Sequence, residues 1–182
     1  LVTAIGSMSA STVISSLQMS GHQVIGTDIY PKEYHKEGYL CNSFEQVPYC
    51  HDPNYCTTLI DICKRHKCKI IIPLTDPEID VINGTREMFE QNNIKLYMQS
   101  SELLNIARNK FNVYDYFKND KEVNVINTCL LSDFHTYYFK QPWVIKRTYG
   151  RSSEGLIINP SINQIFAMGD MDGYVIQPYL EG

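Results

Sequence analysis

The sequence has no apolar run long enough to cross a membrane and no block of charge of one sign. Hydrophobic residues make up 43% of the 182 residues and charged residues 20%, with a net charge of −4. A membrane span needs roughly 18–20 consecutive apolar residues. A nucleic-acid partner would leave a basic patch, and acids and bases are interspersed instead. We therefore expect a globular protein whose partners are neither membranes nor nucleic acids.

The sequence also lacks paired cysteines. None of the six forms a Cys-x-x-Cys motif. The grouping that comes nearest to a metal site is Cys63, His66 and Cys68, whereas a zinc site usually has tighter, paired ligand spacing. Cys56 and Cys63 fall on the apolar face of a predicted helix, where a thiol acts as a small hydrophobe. These features predict no metal site, reduced thiols and a cytoplasmic protein.

A third absence is the glycine signature of dinucleotide-binding folds. After Gly6 the chain reads Ser-Met-Ser-Ala-Ser, without a second or third glycine. Asp28 follows 22 residues later, at the distance of an acid that holds a ribose hydroxyl in such folds. An ordinary turn followed by an acid at a strand end explains the same residues. A dinucleotide- or nucleotide-sugar-binding module therefore remains the alternative.

Strand and helix patterns alternate through the first hundred residues. A stripe of Val13, Ile14 and Leu17 follows a predicted cap at Ser9 or Ser11. The segment 30–53 is irregular, with one short strand or helix at 44–47. Buried strands are predicted at 1–5, 23–28, 69–73 and 94–98. This alternation predicts an open parallel α/β sheet.

Two further helices complete the pattern. One begins after Asn54, with an inner stripe of Cys56, Leu59, Ile60 and Cys63. The next is predicted to have Asp76 as N-cap and Pro77 as its first residue, with an inner stripe of Ile79, Ile82 and Phe89.

Ligands of open parallel sheets bind at the carboxyl ends of the strands. Six residues are expected to line such a crevice, because each follows a predicted strand. They are Gly6, Ser7, Asp28, Thr75, Asp76 and Glu78.

The pattern changes in the second half. Helices are predicted at 103–107 and 111–119, the latter with Phe111, Tyr114 and Phe117 in the core. Short strands at 125–131, 143–146, 156–158 and 174–177 then surround one helix at 161–168. These elements predict a small antiparallel α+β module, with a boundary between residues 98 and 122.

Residues 142–155 predict a hairpin. The short apolar strand 143–145 delivers Lys146, and a loop with two glycines at 148–155 leads into a second apolar run. A lysine supplies a point charge and the loop supplies directional hydrogen-bond donors, which together suit a polyphosphate. An ordinary exposed hairpin is the alternative.

The order of these elements resembles the front half of an ATP-grasp enzyme, of the branch like the carbamoyl-phosphate synthetase large subunit. The resemblance rests on Arg-Asn-Lys at 108–110, Val-Ile-Lys at 144–146 with its glycine loop, and Gln-Pro-Tyr-Leu at 177–180. It implies a Rossmann-like pre-ATP-grasp domain at 1–107. It also implies the small ATP-grasp subdomain at 108–182, ending at the hinge.

The resemblance further implies site residues and cofactors. Lys110 and Lys146 would contact the nucleotide phosphates, the loop would cover them, and residues 177–180 would hold the adenine. The implied nucleotide-binding residues are Lys110, Lys146, Tyr149, Gly150, Arg151, Ser152, Ser153, Glu154, Gly155, Gln177, Pro178, Tyr179 and Leu180. Departures from the family pattern are Asn109 for Asp, Arg147 for Pro or Ala, and Gln177 for an acid.

The implied activity is that of an ATP-dependent ligase. ATP would activate a small carboxylate as an acyl phosphate, which an amine or similar nucleophile would attack. Mg²⁺ ligands are expected beyond Gly182, so the chain is expected to be an inactive piece of a longer enzyme; a homodimer is compatible with the resemblance. A non-catalytic interaction protein with a degenerate ATP-grasp fold is a further alternative.

Overall fold

The computed structural model describes residues 1–136, 141–168 and 172–180. The chain forms two compact units, Leu1–Met98 and Gln99–Gly182. The first contains parallel strands and the second an antiparallel sheet, which confirms the predicted mixed α/β class. Among the described helices, none has the length and apolar character needed to cross a bilayer.

The first unit contains a parallel sheet centred on the N-terminal segment. Val2 bridges in parallel to Gly26 on one side and to Ile72 on the other. It thereby joins two strand pairs, β1 with β2 and β3 with β4. The strands are β1 (Ile25–Asp28), β2 (Ser43–Gln46), β3 (Ile70–Ile71) and β4 (Lys95–Leu96).

Residues 1–5 were predicted to be a continuous buried strand, and they are buried but not continuous. The Val2 N–H donates to Ile25 O at 2.8 Å, and the Ile5 N–H donates to Thr27 O at 3.2 Å. Between them, Ala4 has a φ of 47°, which lies outside the extended region and interrupts the ladder. The predicted strands at 69–73 and 94–98 are likewise shorter, with two paired residues each.

Helices flank this sheet, and they bury their predicted stripes to different extents: in the first helix Ile14 is buried, whereas Val13 and Leu17 are half-buried. Cys56, Leu59, Ile60 and Cys63 of α3 are all buried, as the 3.6-residue period predicts. Ser9 is the N-cap residue of α1, but its side chain does not cap the helix. The helices are α1 (Ala10–Met19), α2 (Glu37–Leu40), α3 (Tyr55–His66), α4 (Asp76–Asn83) and α5 (Arg86–Gln91), with a 3-10 turn at Lys32–Tyr34.

The helix predicted to begin after Asp76 is in fact two helices. α4 ends at Asn83 and α5 begins at Arg86, so Ile82 and Phe89 are buried from different helices, while Ile79 is only half-buried. The N-cap residue is Thr75 rather than Asp76, and Pro77 is the second helical residue. The prediction was one residue late because both Thr and Asp are good N-cap residues.

The second unit is a four-stranded antiparallel sheet with strand order β5-β8-β6-β7. Its core contains Leu131, Trp143, Ile145, Ile165 and Ile176. The elements are α6 (Ser101–Ala107), α7 (Lys110–Phe117), β5 (Cys129–Leu130), a 3-10 turn at Leu131–Thr136, β6 (Trp143–Arg147), β7 (Ile157–Ile158), α8 (Ile162–Phe166) and β8 (Tyr174–Pro178). The predicted hairpin is confirmed, since β6 and β7 pair antiparallel.

The aromatic residues of α7 were predicted to lie in the core, and that prediction was too strong. Phe111, Tyr114 and Phe117 are each half-buried, and no residue of α7 is fully buried. A three-residue spacing places side chains on one helix face, but it does not determine how completely that face is covered.

Candidate functional site

A basic cleft of about 400 Å³ lies in the second unit, where β6 meets the loop that follows it. Four of its side chains are basic and one is acidic. The lining residues are Lys110, Lys146, Arg147, Gly150, Arg151, Ser152, Ser153, Glu154 and Leu156. Seven of the residues implied by the ATP-grasp resemblance therefore line one cleft.

Lys110 reaches the cleft from the first residue of α7. The Asn109 side chain caps this helix by accepting hydrogen bonds from the N–H groups of Phe111 and Asn112, at 2.9 and 3.1 Å. The Lys110 N–H donates to Thr148 O at 3.0 Å, which ties the helix start to the end of β6. The Lys110 Nζ then donates to Gly150 O at 3.3 Å. Asn109 therefore serves as the N-cap of α7, at a position where the resemblance implies Asp.

Lys146 lies on β6, and its side chain has a partner on β8. Its Nζ donates to Gln177 Oε1 at 2.9 Å. Val144 pairs with Gln177 across β6 and β8, and Lys146 is two residues beyond Val144, so Lys146 and Gln177 share one face as diagonal neighbours. The register of the sheet therefore determines this contact.

The loop after β6 is folded into turns. Ser152 and Ser153 adopt φ values of 50° and 60°, a left-handed conformation that L-residues rarely adopt. The Glu154 N–H donates to Arg151 O at 2.9 Å, and the Leu156 N–H donates to Ser153 O at 3.1 Å. Successive residues in such conformations can present backbone N–H groups to an anion.

Both loop glycines lie close to the side chain of Arg147. A Cβ on Gly155 would lie 3.0 Å from Arg147 Cγ and Nε, and a Cβ on Gly150 would lie 3.3 Å from Arg147 Cβ. Gly155 also has a φ of 69°. The Arg147 guanidinium lies 6.0 Å from the centre of the Tyr174 ring, within cation–π range. The loop therefore packs against the aliphatic part of Arg147, whose guanidinium contacts the Tyr174 ring.

The remaining residues implied by the resemblance lie on or near β8 and in the loop. Tyr149, Tyr179 and Leu180 are exposed, and Pro178 is half-buried at the end of β8. The Tyr179 N–H donates to Pro142 O at 2.8 Å. The sequence did not indicate Thr128, which is 4% exposed and accepts a hydrogen bond from Gln177 Nε2 at 2.7 Å. No local signal could have found a partner 49 residues away.

In the first unit, Gly6 and Asp28 lie in contact, and the Asp28 carboxylate is already engaged. Asp28 Oδ2 accepts from the Gly6 N–H at 2.9 Å, and Oδ1 accepts from the Tyr30 N–H at 3.1 Å. His35 Nε2 lies 3.1 Å from the same Oδ1, close enough for an ion pair although not aligned for a hydrogen bond. The Asp28 side chain is also buried, so this geometry does not favour a contact between Asp28 and a ribose.

The acids near α4 are also used within the protein. Glu78 is 7% exposed and accepts hydrogen bonds from Tyr55 Oη at 2.6 Å and from Thr75 Oγ1 at 2.7 Å. Burial, reinforced by the nearby Glu78 carboxylate, raises the pKa of Tyr55. Asp76 is half-buried in the first turn of α4. The Ser7 hydroxyl is buried without a hydrogen-bond partner among the described residues.

The six cysteines are free thiols, and the described ranges contain no cluster of three or more metal-ligating side chains. Burial raises the pKa of Cys41 and of Cys129 to about 11. Cys63 and Cys68 interact with each other. The hydrogen bond from the Cys63 thiol lowers the pKa of Cys68 to about 6, and the same contact raises the pKa of Cys63.

Comparison with solved structures identifies the fold. The biotin carboxylase domain of a 2-oxoglutarate carboxylase from Hydrogenobacter thermophilus, described as a dimer in complex with MgADP, ADP and bicarbonate, superposes with a TM-score of 0.74 at 13% identity. The match covers 99% of this chain and 44% of that one. N5-carboxyaminoimidazole ribonucleotide synthetase from Thermotoga maritima gives 0.69 at 15% identity, with 99% and 45% covered. The fold is that of the N-terminal part of ATP-grasp enzymes, which confirms the predicted resemblance to the front half of such an enzyme.

The family follows from the sequence. Residues 1–97, just over half of the chain, match the PylC-like N-terminal domain, and the chain belongs to that family. An L-amino acid ligase from Bacillus licheniformis is a further structural match, with a TM-score of 0.63 at 12% identity, covering 94% of this chain and 41% of that one. No curated protein matches the sequence. The chain spans less than half the length of these structural matches.

Proposed function

We propose that the basic cleft binds the polyphosphate of ATP, and that this chain is the nucleotide-binding part of an ATP-dependent carboxylate–amine ligase. The observation that carries the proposal is the convergence of Lys110 and Lys146 on one cleft beside a folded loop. Arg147 and Arg151 add positive charge, and Glu154 is the one acid in the lining. Such an excess of cations favours a polyanion.

In the proposed reaction, ATP phosphorylates a small carboxylate and an amine then displaces the phosphate. The two lysines would neutralise charge on the phosphates, and the loop N–H groups would orient them. Mg²⁺, bound by residues outside this cleft, would supply further positive charge to the phosphates. In this proposal residues 108–182 form the small ATP-grasp subdomain and residues 177–180 lie along the nucleotide. A cytoplasmic location and a homodimer stay predictions.

Lys146→Ala tests the proposal directly. The chain is titrated with inorganic tripolyphosphate and with ATP at low salt, and binding is followed by NMR shifts of loop residues 148–155, which detect even millimolar affinity. Loss of one charge-assisted contact is expected to lower the affinity for both ligands by roughly 10- to 100-fold. The loss should shrink as salt is raised, because screening weakens the contact.

Lys118→Ala provides the matched control. Lys118 lies in the same unit and pairs with Asp115 at 2.6 Å, but it does not line the cleft. Removal of Lys118 changes the net charge by the same amount as removal of Lys146. The affinity for both ligands should stay within about twofold, because an exposed charge outside the cleft contributes little. Equal effects of the two variants, or no loop shift with either ligand, would contradict the proposal.

A further inference from the structure

Three residues, one just before β5 and one each on β8 and β6, form a hydrogen-bonded network that ends at the cleft. Lys146 Nζ donates to Gln177 Oε1 at 2.9 Å, Gln177 Nε2 donates to Thr128 Oγ1 at 2.7 Å, and Thr128 Oγ1 donates to Ile126 O at 2.8 Å. Cys129 pairs with Ile176 across β5 and β8, so Thr128, one residue earlier, continues that register opposite Gln177. The network therefore runs from just before β5 across β8 to β6 on one face.

The direction of each hydrogen bond in this network is determined by chemistry. An ammonium can only donate, so Gln177 must turn its amide oxygen towards Lys146. The amide nitrogen then faces Thr128 and must donate to it. Thr128 has a single hydroxyl hydrogen, which it gives to Ile126 O, so its oxygen is available only as an acceptor. Every member is satisfied in one orientation only.

This polarity explains a residue that departs from the family pattern. A carboxylate at position 177 could accept from Lys146 but could not donate to Thr128, whose hydrogen would then have to leave Ile126 O. A carboxylate would also neutralise the Lys146 charge at close range. The neutral amide holds the ammonium in place and leaves its charge available to an anion.

We propose that Thr128 and Gln177 are positioning residues that hold the Lys146 ammonium towards the cleft, so that the Gln177 side chain acts on the phosphate end of the nucleotide rather than on its base. Both polar ends of that side chain are used within the protein. Thr128 is buried, which shields the network from exchange with water. The inference rests on the proposed function of the cleft.

Thr128→Val removes the hydroxyl with little change in shape, and Thr128→Ser keeps it. The 182-residue chain is titrated by NMR as above. Thr128→Val is expected to lower the affinity for tripolyphosphate and for ATP by the same factor, about three- to tenfold, because one buried hydrogen bond is lost. Thr128→Ser should remain within about twofold of the parent. A loss of affinity for ATP but not for tripolyphosphate would mean that these hydrogen-bonded residues act on the base, and it would overturn the proposal.

A double-mutant cycle separates positioning from general damage. If Thr128 acts through Lys146, Thr128→Val should add no further loss in a Lys146→Ala background. An equal loss in both backgrounds would show a merely structural effect and would reject the proposal. If Thr128→Val does not fold, as judged by Trp143 fluorescence, Gln177→Met replaces it, with the same expectations.

The outcomes also distinguish this inference from the function on which it rests. If Lys146→Ala leaves tripolyphosphate binding unchanged, the proposed function fails and the inference fails with it. If Lys146→Ala weakens binding but neither Thr128→Val nor Gln177→Met does, the cleft is a polyphosphate site and only the positioning role is lost.

Discussion

Gly155→Ala is expected to destabilise the second unit by about 1.5–3 kcal/mol, through backbone strain and through displacement of Arg147. Placing an L-residue in the left-handed region costs roughly 1–2 kcal/mol, and Gly155 has a φ of 69°. The new Cβ would also lie 3.0 Å from Arg147 Cγ and Nε. Moving that side chain disturbs its contact with Tyr174, which is worth about 0.5–1 kcal/mol at an exposed site.

Gly173 offers a matched control for the backbone term. It belongs to the same unit and has a φ of 76°, but a Cβ there would meet nothing within 4 Å. Gly173→Ala should therefore cost only the roughly 1–2 kcal/mol of backbone strain. The difference between the two variants, about 0.5–1 kcal/mol, isolates the Arg147 contact.

Urea unfolding followed by tryptophan fluorescence measures both costs. The chain contains one tryptophan, Trp143, which is 8% exposed in the core of the second unit, so the signal reports on that unit. In an Arg147→Ala background the close atoms Cγ, Cδ and Nε are absent, and Gly155→Ala should then cost no more than Gly173→Ala. Equal costs in the parent chain, or an extra cost that persists without the arginine, would refute this reasoning.

Two further predictions concern titration and thiol reactivity. The hydrogen bond from His66 lowers the pKa of Glu45 from its ordinary value of 4.5. The pair's contribution, at most about 1 kcal/mol, should be complete above pH 4.5 and lost as pH falls through the folded pKa. Thermal unfolding of Glu45→Gln should be less pH-dependent in that range than that of Glu33→Gln, and identical profiles would contradict this. Because the pKa of Cys68 lies at about 6, iodoacetamide at pH 7.5 should alkylate Cys68 first. Cys68→Ser should remove the fast phase, and a fast phase that persists would show that another thiol reacts.

Sequence periodicity predicted the elements whose burial is local. The stripe of α3 was predicted in full because four apolar residues at helical spacing must share one face. The β6–β7 hairpin followed from two apolar runs around a glycine-containing loop. The break between α4 and α5 at Gly84 was missed, since an isolated glycine often lies within a helix.

The candidate site shows the same division. Lys110, Lys146 and the loop were indicated by motif and order, and the structure brings them to one cleft. The crevice acids Asp28 and Glu78 could not be interpreted from sequence alone. Their partners His35, Tyr55 and Gly6 are set by how the helices and loops pack on the sheet.

The sequence by itself indicated that a lysine follows a short apolar run and precedes a glycine loop. It also determined the family to which the first 97 residues belong. Only the tertiary structure decided which groups face that lysine. Pairing of β8 with both β5 and β6 places Thr128, Gln177 and Lys146 on one face, although they are 49 and 31 residues apart. The physical reason is that strand register, which depends on long-range packing, determines cross-strand neighbours.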